Sequence, residues 1–486
     1  MIELSGTEIA RAARAALVAG AAERADEGDW AARAVVDSRE AGPGDLFFGL
    51  GGERADGGEF AAGAIEAGAW GAIVTPAHSA TASAAAAERG ARVFESADPL
   101  ASLGSLASVW LDRLRAQGAR VVGITGSTGK TSTKDILLAL AGPPFDERVH
   151  ANRENFNTEV GLPLTVLEAP AGTALVVLEM AMRGMGQIRE LAQIAHPEVG
   201  VITNIGPVHL ELVGTLERVA EAKAELIREL PAGAACVVPA NEEALHPHMR
   251  SDVRAITFAE WQAVGINGIA GAAADVRALS VEPAGDGLRV DVAARADRAT
   301  LEFNFSQAHN VTNALAAIGT LHALGVSLQE LSEGARQVRF SSLRGEELTL
   351  PGGVVIVNDC YNANPVSMRA AIEHLAAVAD RRGAQRIVAV LGDMRELGPE
   401  AARFHREIGE LARDAGVEEL VAVGDHASDY TRGFGGPSHE APDAETASQI
   451  AAALVREGDV VLVKASRAVG LGRVTQALQS SRGAPA

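Results

Sequence analysis

Cysteine is almost missing from this chain. Only Cys236 and Cys360 occur among 486 residues, far apart in sequence, which excludes both a disulfide framework and a zinc ribbon. Positive charge is short as well: 43 Lys and Arg against 63 Asp and Glu leave a formal net charge of −20. That balance excludes the basic stripes of a nucleic-acid-binding surface. It leaves anionic small ligands open, because a local site can be positive on an acidic protein. No stretch approaches the roughly 18 uncharged apolar residues that a membrane span needs, so no membrane insertion is expected. The opening Met1-Ile2-Glu3-Leu4-Ser5-Gly6 has no basic region followed by an apolar core. No secretion signal is therefore expected, and the expected location is the cytoplasm.

What is present suits a globular protein. Hydrophobic residues make up 47% and charged residues 22%, enough for sizeable cores. A chain this long exceeds the ~250–300 residues at which one core stops growing, so two to four domains are expected. The apolar patterning predicts an α/β protein of three domains. Residues 1–105 alternate short apolar runs with Ala-rich helical segments and read as a small α/β domain. Residues 106–335 read as a central P-loop mononucleotide-binding domain with a mostly parallel sheet, followed by a polar antiparallel excursion over 274–305 and a helix over 308–324. Residues 336–486 carry four apolar strands separated by helical segments, a Rossmann-like doubly wound pattern whose strand C-termini would hold the site. The tail after Gln479 is expected to be disordered.

The segment Val121-Val122-Gly123-Ile124-Thr125-Gly126-Ser127-Thr128-Gly129-Lys130-Thr131 carries the most information. A short apolar strand runs into a loop of small residues, then Gly129-Lys130-Thr131, then a helical run from Asp135. Strand, glycine-rich loop and helix in that order make a phosphate-binding loop: backbone N–H groups cradle phosphates, Lys130 reaches the terminal ones and the Thr131 hydroxyl ligates Mg²⁺. The helix N-terminus adds dipole and free donors for an anion. The pattern departs from the strict eight-residue form, since Ile124 stands where that form has its first Gly.

Other candidates lie after strands. Glu179 ends an apolar strand over 174–178 and is a natural Mg²⁺ ligand in a P-loop domain. His209 follows the Pro207 turn after the strand 199–203. Lys223 falls on a helix expected over 216–230, where on local sequence alone it reads as a solvated Lys of an amphipathic helix. Asn358-Asp359-Cys360-Tyr361-Asn362-Ala363-Asn364-Pro365 packs amides, a carboxylate and an aromatic into one turn that could hold a base or ribose, although Asn and Asp are also ordinary turn formers. Gly392-Asp393-Met394-Arg395-Glu396-Leu397-Gly398 follows the next strand, and Lys464 with Arg467 follows the last, offering two cations to an anionic substrate.

Together these segments closely resemble the Mur ligase family over nearly the whole chain. The likeness includes Asp37-Ser38-Arg39 with Pro43 to Phe48, the loop Thr125 to Thr131, Asn155 to Thr165, Glu179, His209, Lys223, His309-Asn310 and the third-domain runs. Tyr361 to Pro365 and Gly392 to Gly398 look particular to the branch that attaches D-Ala-D-Ala. The resemblance implies an ATP-dependent amide ligase acting on a UDP-MurNAc-tripeptide and D-Ala-D-Ala through an acyl phosphate; a monomer is expected. It implies two Mg²⁺ ions held by Thr131, Glu179, His209 and Lys223, the last carbamylated by CO₂, with Lys130 completing the catalytic set. ATP would contact the loop residues Thr125, Gly126, Ser127, Thr128, Gly129, Lys130 and Thr131. It would also contact Asn310, Arg344, Asp359, Tyr361 and Asn362. Ser38, Arg39, Asn157, Thr158, Lys464 and Arg467 would face the other substrates.

Three positions depart from the family's usual residues: Gly58 for His, Cys360 for Ser and Ala465 for Gly. None touches the phosphate or metal positions. The rival enzyme readings are a tripeptide-forming Mur ligase and a folylpolyglutamate-synthase-like ligase; neither's distinctive third-domain motif is seen. A nucleotide-binding scaffold with a Mur-like shell would be expected to lose Lys130, Glu179, His209 or Lys223, and all four are present.

Overall fold

A computed structural model describes residues 4–21, 30–153, 155–259 and 274–483. It is built on three sheets. The first has five strands, ordered Ala16–Ala19, Arg92–Glu95, Gly71–Val74, Leu46–Phe48 and Ala34–Val35. Only the Ala16–Ala19 pairing is antiparallel.

The second sheet has nine strands, and six of its pairings run parallel from Val149–Ala151 across to Val276–Ala284. Its inner strands Arg120–Thr125, Leu175–Glu179 and Val199–Ile202 are continuous apolar runs. Side chains buried on both faces of a parallel sheet require that pattern. Antiparallel hairpins over Val276–Ala284, Gly287–Ala294 and Asp297–Phe303 extend the edge. The third sheet has six strands, five of them parallel, with Glu346–Leu350 added antiparallel. The α/β class and the mostly parallel central sheet thus match the sequence reading.

Local chemistry sets the helix limits. Helix Pro99–Ala116 starts at Asp98, whose side chain accepts from Ala101 N. It packs against the second sheet's layer, with Trp110 fully buried and donating from Nε1 to Ala169 O at 3.0 Å. The boundary expected near residue 105 falls inside this helix. Helix Pro365–Arg382 begins with an Asn364 capping box and Pro at its first position, and ends at Gly383 in the left-handed region, a signal pair for start and stop. The helix expected over 216–230 is observed as Leu216–Lys223 and Glu225–Glu229, loosened at Ala224. The expected disordered tail is corrected in part: helix Gly472–Ser481 runs past Gln479, because Val474 and Leu478 bury against the third sheet. Residues 484–486 lie outside the described residues. Among the described residues no helix is long and apolar enough to cross a membrane.

The site is placed by strand ends. Strands Arg120–Thr125, Leu175–Glu179 and Val199–Ile202 lie side by side, with Ile124 opposite Glu179 and Thr125 opposite Ile202. Their C-terminal ends face those of Val354–Asn358 and Asp459–Lys464 across one cleft, the place where parallel sheets carry their ligands.

Candidate functional site

The loop after Arg120–Thr125 is shaped by two glycines with positive φ, Gly126 at 150° and Gly129 at 75°. Both are also required by space: a Cβ at Gly126 would sit 1.9 Å from Thr203 Oγ1, and one at Gly129 would sit 2.3 Å from Asn313 Oδ1. The loop is held from the neighbouring strand. Asn204 Oδ1 accepts from Ser127 N at 3.1 Å and from Thr128 N at 2.9 Å, and the Thr203 hydroxyl donates to Thr128 O at 2.5 Å. Lys130 folds back to donate to Gly126 O at 2.8 Å. Burial holds its pKa below the usual lysine value, an effect that Glu179 partly offsets.

Thr131, second in the following helix, donates to Glu179 Oε2 at 2.9 Å, while Asn157 Nδ2 donates to Glu179 Oε1 at 2.9 Å. Buried Asn152 fixes the Glu179 backbone, accepting from its N–H at 2.7 Å and donating to its carbonyl at 3.0 Å. Lys223 is buried and lines the same cleft. Its expected solvation as an amphipathic-helix lysine is corrected: the helix packs this position inward. Burial, then repulsion from Lys130, pushes its amine well below the ordinary lysine pKa. A neutral amine is the form that can add CO₂. His209, in the left-handed region at φ 54°, also lines the cleft, and its Nδ1 pairs with Glu396 Oε2 of the third unit.

The facing wall comes from the third unit. Arg344 lies 3.9 Å over the Tyr361 ring and donates to Thr131 Oγ1 at 3.1 Å, so it spans the gap to the loop. Lys464, buried at the end of its strand, pairs with Asp359 Oδ2 at 2.6 Å and donates to Asn362 O at 2.9 Å. It therefore braces the Asp359 turn, and its ammonium is already engaged with that carboxylate. His309 lines the cleft beside His374, the two rings edge to face with centroids 6.3 Å apart. Asn310 Oδ1 accepts from Asn313 Nδ2 at 2.8 Å.

The cleft has a volume of about 630 Å³. Ser127, Thr128, Gly129, Lys130, Thr131, Asn157, Thr158, Glu179, His209, Lys223, Asn310, Arg344, Asp359, Tyr361, Asn362 and Lys464 all line it. The other candidates do not. Thr125 ends the strand and Gly126 begins the loop, and neither lines the cleft. Arg467 has its guanidinium 5.4 Å from the Tyr361 ring. Ser38 and exposed Arg39 belong to the first unit, where Arg39 pairs with Asp37. There the His78 ring fills the room beside Gly58: a Cβ at Gly58 would meet His78 Cδ2 at 2.3 Å, and His78 Nε2 pairs with Asp56 at 2.8 Å. Asn152, Asn204, Asn313 and Glu396 also build the site, and the motifs assign them no role. Asn313, three residues from Asn310 on one helix, carried a readable spacing signal; the others depend on long-range pairing.

Beside the loop lie donors suited to a hard divalent cation. The Thr131 hydroxyl and Glu179 carboxylate are adjacent oxygen donors, the type such ions take. Among the described residues, no three His, Cys, Asp or Glu side chains gather as a ready cage.

Two family models match the chain: the Mur ligase middle domain over residues 124–321 and the Mur ligase, glutamate ligase domain over residues 343–467. The chain belongs to the Mur ligase family. Relatives matched from end to end point to one branch of it. The curated UDP-N-acetylmuramoyl-tripeptide–D-alanyl-D-alanine ligase of Mycobacterium tuberculosis is 36% identical, covering 98% of each chain. Among solved structures, MurF from Acinetobacter baumannii superposes with a TM-score of 0.83 at 25% identity over 98% of each chain. MurF from Thermotoga maritima in complex with ADP gives 0.76 at 28% identity, over 94% of this chain and 99% of that one.

Proposed function

We propose that this chain is an ATP-dependent amide ligase that joins D-Ala-D-Ala to the C-terminal carboxylate of a UDP-MurNAc-tripeptide, forming the pentapeptide precursor of peptidoglycan. The observation that carries this reading is the single cleft in which the phosphate loop, Glu179, His209 and Lys223 face Arg344 and the Asp359–Asn364 turn. The names of the end-to-end relatives support the choice of acceptor.

A carboxylate resists nucleophiles because its charge is delocalised and its oxide is a poor leaving group. Conversion to a mixed anhydride removes both obstacles. A carboxylate oxygen of the tripeptide attacks the γ-phosphorus of ATP, the bond to the β-phosphate oxygen breaks and ADP leaves. The amine of D-Ala-D-Ala then attacks the acyl carbon, a tetrahedral intermediate forms, and inorganic phosphate departs as the nitrogen loses its proton. Lys130 and Arg344 offset charge on the transferring group, and the loop N–H groups hold the flanking phosphates once Asn204 yields them. Thr131, Glu179, His209 and Lys223, the last as a carbamate formed from its neutral amine and CO₂, would hold two Mg²⁺ ions, which supply charge neutralisation at phosphate oxygens. Asn310, Asp359, Tyr361 and Asn362 would seat adenine and ribose. Ser38 and Arg39 would contact the UDP-sugar, and residues 1–105, 106–335 and 336–486 would each bring one reactant.

Phosphate release measured with D-Ala-D-Ala, meso-diaminopimelate, L-Lys and L-Glu as acceptors tests the assignment, using tripeptides ending in L-Lys and in meso-diaminopimelate. Turnover with D-Ala-D-Ala alone is expected. Turnover with a single amino acid instead would move the chain to another branch.

A further inference from the structure

His209 and Glu396 meet across the boundary between the second and third units, and both hold unusual backbone conformations. Their φ angles are 54° and 64°, in the left-handed region that disfavours residues with a Cβ. Strain of this kind persists only where surrounding structure enforces it, and it concentrates at functional sites. The surroundings here do enforce it. Asp393 accepts from Asp425 N and His426 N, Met394 N donates to His405 Nε2 at 2.9 Å, and Arg395 N donates to Ser466 Oγ at 3.0 Å. The turn that carries Glu396 is thus anchored on three sides within its own unit. Its carbonyl then accepts from Glu211 N, two residues past His209.

The side chains complete the contact. Glu396 Oε2 pairs with Nδ1 of His209. His209 lines the cleft, whereas Glu396 is not among its lining residues. The carboxylate therefore holds the imidazole from outside the cleft. The two ring nitrogens point to diverging sides, so a ring held at Nδ1 offers Nε2 elsewhere. A histidine that binds a metal through one nitrogen usually donates its other N–H to a carboxylate, which fixes tautomer and ring direction.

We propose that Glu396 is a positioning residue for His209: it fixes the Nδ1–H tautomer and presents Nε2 to the cleft as a cation ligand. This rests on the ligase reading for its purpose, but not for its geometry. One consequence is conformational. The ligand comes from the second unit and its orienting carboxylate from the third, so the second cation site is complete only when the two units are docked. A second is chemical: Gly392 to Gly398, singled out in the sequence without a role, acquires one through Glu396.

The test uses full-length protein labelled with ¹⁵N-histidine, with His209 assigned by comparison with His209→Gln. In wild type, the His209 signals are expected to report Nδ1–H and a free Nε2. In Glu396→Ala they are expected to shift to the Nε2–H tautomer. Mn²⁺ titration in the presence of ADP, read by electron paramagnetic resonance, is expected to show the weaker of two sites losing roughly 10–100-fold in affinity, with the tighter site unchanged. Glu396→Gln keeps an acceptor oxygen at the same place, so it should retain the tautomer and lose less affinity; it also serves if the Ala variant folds poorly. An unchanged His209 tautomer and unchanged Mn²⁺ affinities in both variants, even with a lowered melting temperature, would overturn the proposal. Because neither readout involves turnover, failure of the ligase reading would be seen separately, in the acceptor assay.

Discussion

Arg344 donates from Nη2 to Oγ1 of Thr131 at 3.1 Å, joining the third unit to the first residue after the loop lysine. The same guanidinium lies 3.9 Å over the Tyr361 ring, which fixes its plane. Arg344→Lys keeps the charge but loses the fork and the stack. It should lower kcat/KM for ATP by about tenfold, and Arg344→Ala by about a hundredfold or more. Steady-state phosphate release against ATP concentration measures both; unchanged values would remove Arg344 from the site.

Gly126→Ala should cripple the loop for two separable reasons. The φ of 150° disfavours a side chain, at a cost of about 1–3 kcal/mol, and the new methyl would meet Thr203 Oγ1 at 1.9 Å. Adding Thr203→Ala removes the 1.9 Å contact, at the cost of the hydroxyl's bond to Thr128 O. The double variant should therefore recover part of the lost melting temperature, while calorimetry still shows weakened nucleotide binding. Full recovery of both would show that conformation at 126 does not matter.

How far the sequence could be read follows from the range of each interaction. Strand, loop and helix around Lys130 are neighbours in sequence, so their geometry was legible, and Glu179 was legible as a carboxylate ending a strand. Lys223 was not: one helix turn of local pattern cannot reveal which neighbour covers it, and only family likeness marked it. Lys464 was read as a free cation because its partner Asp359 lies 105 residues away. The His78 ring beside Gly58 and the Glu396 contact with His209 escaped for the same reason: packing between distant elements decides them.

His405 gives a pH signature. Burial lowers its pKa to about 4, and its Nε2 accepts from Met394 N, which requires the unprotonated ring nitrogen. The unfolded chain takes up a proton near the ordinary value of about 6.5, while the folded chain does not until about 4. This contribution to stability is fully present above pH 6.5 and is lost as pH falls toward 4, at most about 1.4 kcal/mol per pH unit from one group. Melting temperature should fall between pH 6.5 and 5, and less steeply in His405→Gln. An equal slope in that variant would refute the assignment.

Lys223→Ala should reduce ligation to near background. Bicarbonate with a short carboxylate such as acetate should restore part of it, because an added anion can stand where the carbamate would be. Lys223→Arg keeps a cation that does not add CO₂ and should resist that rescue. Wild-type rates for Lys223→Ala without additive would contradict the carbamate role.

The central claim is that a carboxylate is activated by phosphoryl transfer before the amide forms. UDP-MurNAc-tripeptide labelled with ¹⁸O in its C-terminal carboxylate measures this directly when turned over with ATP and D-Ala-D-Ala. The account predicts one labelled oxygen in each released phosphate, carried across when the acyl–oxygen bond breaks. Phosphate without label would contradict it.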